Sequence, residues 1–456
     1  MKSKKMNLSY RIATIVMVLF VVTAQAQTQE GYLSKEDAIK LALEENFGIK
    51  IARNRVEIAK NNKSVLNSGY LPTLTGTAGA TYSESNTTTS FPDGDRDGNP
   101  TPDVELNGAE SQVYNGGVNL NYTLFDGLGR YYNYKSLKEQ YDLSELQARE
   151  TIENTMLQLF SVYFEVARIT ENQVVLDEAM QISTDRVTRA EYAFEYGQNS
   201  KLDVLNARVD ATNDSILYMN SKQSLANAKR DLNVVLNQEL TTLFTVDTTV
   251  NFTPMDQIEA YYEKVKDHNV TLLQNERNLA INAYDVKISR SGYLPSIGLT
   301  GSYGWNLNQN PASAFFPSQN QTRDNLQLGA ALTWNLFDGG RTTTRVKNAK
   351  IALANQELTR SQLELEIERD IRNALEIYKN RLQVFKIQEQ NVVTNQHNFN
   401  RSTAQFQLGR ITSLEFRQAQ TNLLLAQTNR NAAKYDAKLA ELQLMQLLGQ
   451  LLNIPY

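Results

Sequence analysis

The chain has no cysteine among its 456 residues. That excludes disulfides, thiolate metal sites and a lipid-bearing N-terminal cysteine. Histidine is almost as scarce. His268 and His397 each stand alone in helical surroundings, so no imidazole pair is available to a transition metal. Proline occurs nine times and never between Asp103 and Thr253, or between Ser318 and Ile454. Those two stretches are free of the residue that breaks helix interiors. After the N-terminus no apolar run approaches the roughly 18–20 residues of a spanning helix, and mean hydropathy is −0.45. Positive charge is not in surplus either: the formal net charge is −4, which excludes the basic footprint of a nucleic-acid binder. No nucleophile elbow, phosphate loop or catalytic constellation is present. The chain is therefore expected to be no enzyme, to hold no cofactor and to have no nucleic-acid partner.

The N-terminus carries a secretory signal. Lys2, Lys4, Lys5 and Arg11 precede the apolar run Ile12 to Val22, and Ala24-Gln25-Ala26 fits a small-x-small cleavage site. Residues 1–26 are expected to be removed, leaving 42 basic residues against 50 acidic ones.

Four stretches alternate apolar and uncharged polar residues. They are expected as strands at about 73–83, 113–124, 296–307 and 325–336. In the first, Leu74, Gly76, Ala78, Ala80 and Tyr82 oppose Thr73, Thr75, Thr77, Gly79 and Thr81. In the second, Tyr114, Val118, Leu120, Tyr122 and Leu124 oppose Asn115, Asn119, Asn121 and Thr123. The third sets Ile297, Leu299, Tyr303 and Trp305 against Ser296, Thr300 and Ser302. The fourth sets Leu326, Leu328, Leu332, Trp334 and Leu336 against Asn325, Gln327, Thr333 and Asn335. A period of two puts each set on its own face. Strands of about ten residues with one apolar and one uncharged polar face suit a transmembrane barrel. Tyr82, Tyr122, Tyr303, Trp305 and Trp334 are then candidates for an aromatic membrane girdle.

The rest reads as very long helix. Arg130 to Glu195 contains neither Gly nor Pro, which allows roughly 100 Å of helix at about 1.5 Å per residue. Arg341 to Gln407 repeats the design, and in both stretches apolar residues recur every three to four positions, as packing along narrow seams requires. Gly197 and Gly409 permit reversal into helices at about Lys201–Asn237 and Thr412–Leu448. Further helices are expected at Lys35–Leu66 and Asp256–Arg290.

The chain is a tandem duplication. Ser68-Gly69-Tyr70-Leu71-Pro72 recurs as Ser291-Gly292-Tyr293-Leu294-Pro295, and Leu124-Phe125-Asp126-Gly127 as Leu336-Phe337-Asp338-Gly339. Gly197, Leu202, Asp203 and Ala207 are echoed by Gly409, Leu414, Glu415 and Ala419, 212 residues later. The first repeat is taken as residues 27–253 with its hairpin tip near 197–201. The second is taken as 254–456 with its tip near 409–413.

Signal, helix, strand pair and long helical hairpin, all duplicated, resemble the TolC-like outer-membrane efflux proteins. The likeness spans essentially the whole mature chain. It implies a mainly α protein with a membrane β-barrel portion, assembled as a homotrimer in the outer membrane and reaching into the periplasm. Each subunit would give four strands to a twelve-stranded barrel continued by a helical tunnel. It also implies a periplasmic adaptor (membrane fusion protein) and an inner-membrane pump as partners. The hairpin tips, Gly197, Gln198, Asn199, Gly409, Arg410 and Ile411, would contact the adaptor. Asp203 and Glu415, six residues past the tip glycines, would lie at the pore constriction and form acidic rings. Where family members have a second acid, Asn206 and Gln418 stand here. Arg410 is one residue from the place of the family's gate-linking arginine, which leaves the inter-helix link to another pair.

Strands with open edges cannot face lipid alone, so insertion demands assembly whatever the family. Outer-membrane lipid is accordingly an expected partner. The leading reading is a passive efflux conduit. The alternatives are the exit duct of a type I protein-secretion system and a non-pore periplasmic coiled coil. Separately, Asp93, Asp95 and Asp97 have the spacing of half a calcium loop, but Val104 occupies the position of the closing acid. A solvated acidic loop is the simpler account.

Overall fold

The computed structural model describes residues 31–92, 94, 96–313 and 316–454. The signal segment 1–26 lies outside the described residues. In chain order the elements are β1 (Gly31–Leu33), α1 (Lys35–Glu45), α2 (Phe47–Asn62), β2 (Thr73–Thr89), β3 (Val104–Asp126), α3 (Gly129–Glu195) and α4 (Lys201–Val235). There follow β4 (Phe244–Val246), α5 (Met255–Tyr262), α6 (Val265–His268), α7 (Val270–Ser291), β5 (Ser296–Asn310), β6 (Gln319–Thr333), α8 (Arg341–Gln407) and α9 (Ser413–Leu447). The long helices match in pairs: α3 and α8 have 67 residues each, α4 and α9 have 35.

The chain divides into two compact units. One holds the residues up to Arg55, Glu145–Gln274 and those from Ser361 onward; the other holds Val56–Ser144 and Asn275–Arg360. Each draws on both halves of the chain, so the repeat boundary near residue 253 is not a boundary between compact units.

The second unit contains a four-stranded antiparallel sheet ordered β2-β3-β5-β6. Its register joins like with like. Leu74 faces Leu120, Leu120 faces Gly301, and Gly301 faces Leu328. The next row on the same face runs Gly76, Val118, Tyr303, Leu326. The opposite face carries Thr75, Asn119, Ser302 and Gln327 in one row and Thr77, Gly117, Gly304 and Asn325 in another. Directly opposed residues share a face, so the two faces foreseen strand by strand extend over the whole sheet. Among the described residues nothing covers the apolar face: Leu74 is 70% exposed and Leu328 is 77% exposed.

The strands differ from expectation at their ends. β2 and β3 run on through Glu84, Glu105 and Glu110, with Glu84 opposite Glu110, and β6 begins early enough to include Arg323 and Asp324. Charge marked the end of the lipid-compatible stretch, not the end of hydrogen bonding. A bulge between Thr123 and Phe125 breaks the alternation, so Phe125 and not Leu124 pairs with Ile297. β6 stops at Thr333, which leaves Trp334 and Leu336 beyond the strand; Trp334 Nε1 donates to Tyr293 O at 3.1 Å.

The first unit is helical. Its core gathers Met156, Leu159, Phe160, Tyr163 and Phe164 of α3 against Leu232 of α4, Tyr378 of α8, and Tyr435, Leu442 and Met445 of α9. Leu159, Tyr163, Val166 and Ile169, spaced three to four apart along α3, are buried there. The expected helices at 35–66 and 256–290 are interrupted, and one break in each uses the same device. Asn46 Oδ1 accepts from Gly48 N at 2.8 Å while its Nδ2 donates to Val235 O at 2.9 Å. Asn269 Oδ1 accepts from Thr271 N at 3.0 Å while its Nδ2 donates to Leu447 O at 2.8 Å. Each asparagine caps the helix that follows and holds the last residue of α4 or α9.

Candidate functional site

Each hairpin turns on a glycine. Gly197 has φ +71° and Gly409 has φ +69°. This left-handed conformation is open to glycine and costly for side chains with Cβ branches. After it the chain closes the helix end with six-to-one bonds, Gln198 N donating to Ala193 O at 2.8 Å and Arg410 N to Gln405 O at 2.9 Å. The returning helix starts on a capping box in both copies. Ser200 Oγ accepts from Asp203 N, and Asp203 Oδ2 accepts from Ser200 N at 3.1 Å. Thr412 Oγ1 accepts from Glu415 N, and Glu415 Oε2 accepts from Thr412 N at 2.8 Å.

The two acids implied as pore residues are thus engaged within their own helix starts. Hydrogen bonds from the Thr412 backbone and hydroxyl hold the Glu415 carboxyl below the usual glutamate range. Its charge is secured at neutral pH whichever role it plays.

Of the tip residues, Gln198, Asn199 and Arg410 are exposed. Ile411 is not freely presented; it packs against the small cluster of Phe399, Phe416, Ala419 and Leu423. Reading for glycines overlooked the apolar residues beside them. Tyr196 is 79% exposed and Leu202 64%, and their equivalents Leu408 and Leu414 are 67% and 78% exposed. The signal was available: all four sit at matching offsets in the two repeats.

The sequence also hid a polar link between the hairpins. Arg417 of α9 donates to both carboxylate oxygens of Asp214 on α4, at 2.6 and 2.7 Å. Ser183 of α3 hydrogen-bonds the same carboxylate. Gln420 donates to Ala179 O at 2.9 Å and to Ser183 Oγ at 3.1 Å. Arg186 pairs with Asp210, one turn from Asp214. Arg189 closes a second bridge to Gln407 O at 2.9 Å, its guanidinium over the Phe406 ring. Among the described residues Arg410 makes no ion pair, whereas Arg417 pairs with Asp214.

In the sheet, Tyr82, Tyr303 and Trp305 lie exposed on the apolar face, and Tyr122 lies half-buried on it. Trp334 stands beyond the strand. Asp93 and Asp95 lie outside the described residues, and among the described residues no three His, Cys, Asp or Glu side chains form a metal-sized group. Among them, too, no helix is long and apolar enough to cross a membrane.

A family model described as outer membrane efflux protein matches residues 38–238 and 261–450. The outer membrane protein TolC of Vibrio cholerae is 25% identical over 75% of this chain and 78% of its own. The proteases secretion protein PrtF of Dickeya chrysanthemi is 22% identical over 78% of this chain and 72% of its own. Among solved structures, the Campylobacter jejuni CmeC outer membrane channel superposes with a TM-score of 0.71 at 18% identity, over 91% of this chain and 85% of that one. The last likeness is one of fold.

Proposed function

The chain belongs to the outer membrane efflux protein family, and from that premise we propose that it is the passive outer-membrane channel of a three-part export assembly. It is an outer-membrane protein and not an enzyme. The observation that carries the finer reading is the sheet. It has an apolar face, an uncharged polar face across its central rows, and unpaired edges on β2 and β6. Every neighbouring pair is antiparallel, so β6 runs opposite to β2. The β6 edge of one copy can therefore continue antiparallel into the β2 edge of the next. Closed barrels need about eight strands or more, which a single copy does not supply. Three copies, as in the resembled family, close a barrel of twelve with the polar face inward.

The sequence carries no nucleotide-binding motif, so the energy for export belongs to a partner. Helices α3 and α8 each place 67 residues, roughly 100 Å of rise, between a strand exit and a hairpin tip. The tips receive the periplasmic adaptor, with Tyr196, Leu202, Leu408 and Leu414 as the apolar contacts and Gln198, Asn199 and Arg410 as the polar ones. Asp203 and Glu415, in threes, make a cation-favouring constriction of the kind pores use.

Imaging and planar-bilayer recording of the detergent-purified chain test this together. Threefold particles that conduct ions are expected. A stable monomer that still inserts in lipid overturns both barrel and stoichiometry. The likeness to PrtF favours one second reading, a duct for secreted proteins. Restoring protease secretion to a Dickeya chrysanthemi strain without PrtF would support that reading over small-molecule efflux.

A further inference from the structure

The twelve residues Arg130–Tyr141, at the start of α3, include four tyrosines and three basic residues. The structure pairs them off. Arg130 lies 5.4 Å from the Tyr70 ring centre, Lys135 lies 5.7 Å from Tyr131, and Lys138 lies 4.5 Å from Tyr134. From other elements, Lys63 sits over Tyr141 and Lys287 over both Tyr132 and Tyr284. Tyr134 meets Tyr70 edge to face, with ring centres 6.1 Å apart, and Tyr70 stands three residues before β2. A collar of cations on aromatic rings therefore begins where the strands end. Tyrosine rings settle at the level of lipid headgroups, and lysine stems lie along apolar surface while their ammonium groups reach polar surroundings.

Within the collar is a cleft of about 490 Å³ bordered by Lys60, Lys63, Ser64, Tyr134, Lys138 and Asp142. Lys60 is engaged with Glu57 at 3.1 Å. Among the described residues Lys63 and Lys138 form no ion pair. Two ammonium groups thus border a cavity with only cation–π contacts, and Asp142 offsets part of their charge. The cleft also has an apolar side: Val65 lines it and is 46% exposed, and Leu66, next in the chain, is 79% exposed.

We propose that this cleft binds the phosphate headgroup of an anionic phospholipid, with its acyl chains laid over Val65 and Leu66. The inference rests on the sheet being the membrane-spanning part, which puts the collar at the periplasmic leaflet. Lysines act on phosphate as point charges, and basic pockets at the membrane face hold anionic headgroups. This apolar side selects a lipid over free phosphate, which has nothing to lay on Val65 or Leu66.

Native mass spectrometry of the purified full-length channel tests this, with phosphatidylglycerol, phosphatidylcholine and inorganic phosphate as the three probes. Retention of phosphatidylglycerol over phosphatidylcholine is expected. The Lys63→Gln/Lys138→Gln variant should bind phosphatidylglycerol roughly tenfold or more weakly. Lys63→Arg/Lys138→Arg should keep binding, and so should Lys386→Gln, which is remote in sequence from the cleft. Equal retention of the two lipids, or undiminished binding by the glutamine variant, overturns the proposal. Displacement of the lipid by millimolar inorganic phosphate, which would mark a free-anion site, also overturns it. Bilayer conductance is read on the same preparations. A conducting channel with no lipid preference sinks this inference alone, whereas loss of conductance in the unaltered protein sinks the channel reading on which it rests.

Discussion

Arg417 and Asp214 meet through two parallel N–H···O bonds of 2.6 and 2.7 Å across 203 residues of sequence. The Asp214 side chain is 1% exposed, so its charge is compensated almost wholly by Arg417, with Ser183 assisting. The hydrogen bond to Asp214 raises the Arg417 pKa above its ordinary value, so the guanidinium stays charged. Breaking one partner of such a buried pair costs about 3–5 kcal/mol, mostly through the charge left behind. Arg417→Ala should therefore loosen the contact between the two hairpins while the sheet stays intact. Hydrogen exchange over residues 179–190 and 205–220 reads this. Protection equal to that of the unaltered chain would show that the pair contributes nothing to holding the hairpins together.

The capping acid Glu415 gives a pH dependence with a definite sign. Its folded pKa lies below the ordinary glutamate value because the Thr412 backbone and hydroxyl hydrogen-bond the carboxylate. The stabilisation is present above the unfolded pKa and is lost as pH falls through the lowered folded value. The first turn of α9 should fray below about pH 4. In Glu415→Gln the protection of this turn, corrected for the intrinsic exchange rate, should not depend on pH in that range. Exchange at Thr412–Phe416 between pH 3 and 6 measures the difference. A glutamine variant that retains the same acid-induced fraying would assign the effect to another group.

The two faces of the sheet yield a paired test. Leu120 lies between Leu74 and Gly301 on the apolar face, and Asn119 lies between Thr75 and Ser302 on the polar one. An arginine facing lipid near the midplane costs about 2–4 kcal/mol, and this would be repeated in every copy. Leu120→Arg should block membrane insertion, and Asn119→Arg should insert and conduct. The amount of folded protein in outer-membrane fractions decides it. An equal response to both substitutions would mean that the faces are misassigned.

Alternation of two made the strand faces legible because it survives without knowledge of the partner strand. Strand ends were not legible. Glu84, Glu105, Glu110 and Arg323 are poor lipid neighbours but good ladder members, and hydropathy reports only the first property. The interruptions at Asn46 and Asn269 were hidden for a related reason. Asparagine is tolerated in a helix, and the deciding bonds go to Val235 and Leu447, residues about 180 to 190 positions away. The Arg417–Asp214 link was beyond reach, since no local pattern couples positions 203 apart. The glycine turns were legible because few residues accept the conformation that such a reversal requires.

Those turns support a direct test. At φ +71° and +69° a β-branched side chain meets its own backbone, at a cost of about 1–2 kcal/mol per residue. Gly197→Val and Gly409→Val should distort the tips and lose export while the mass of the assembled particle and its sheet content stay unchanged. Gly197→Asn and Gly409→Asn should be milder, because asparagine tolerates the left-handed region. Export measured alongside native mass separates the two effects. Unimpaired export by both valine variants would remove the tips from the mechanism.

Asp203 and Glu415 need substitutions that separate cap from charge. Alanine removes both and cannot tell them apart. Asp203→Asn with Glu415→Gln leaves a side-chain oxygen at each position to accept from the backbone N–H of Ser200 and Thr412, so the helix starts should persist while the charge is gone. If the acids form rings at a constriction, the double isosteric variant should lose much of the channel's preference for cations at low salt. The change should shrink as ionic strength rises, because fixed charges are screened within about 10 Å at 0.1 M. Single-channel recordings of reversal potential under a salt gradient measure it. Ser200→Ala with Thr412→Ala supplies the complementary arm: it weakens the caps and keeps the acids, so cation preference should survive while the tips fray. An unchanged reversal potential in the isosteric double variant would confine Asp203 and Glu415 to starting their helices, and the narrowest part of the pore would then lie elsewhere along the hairpins.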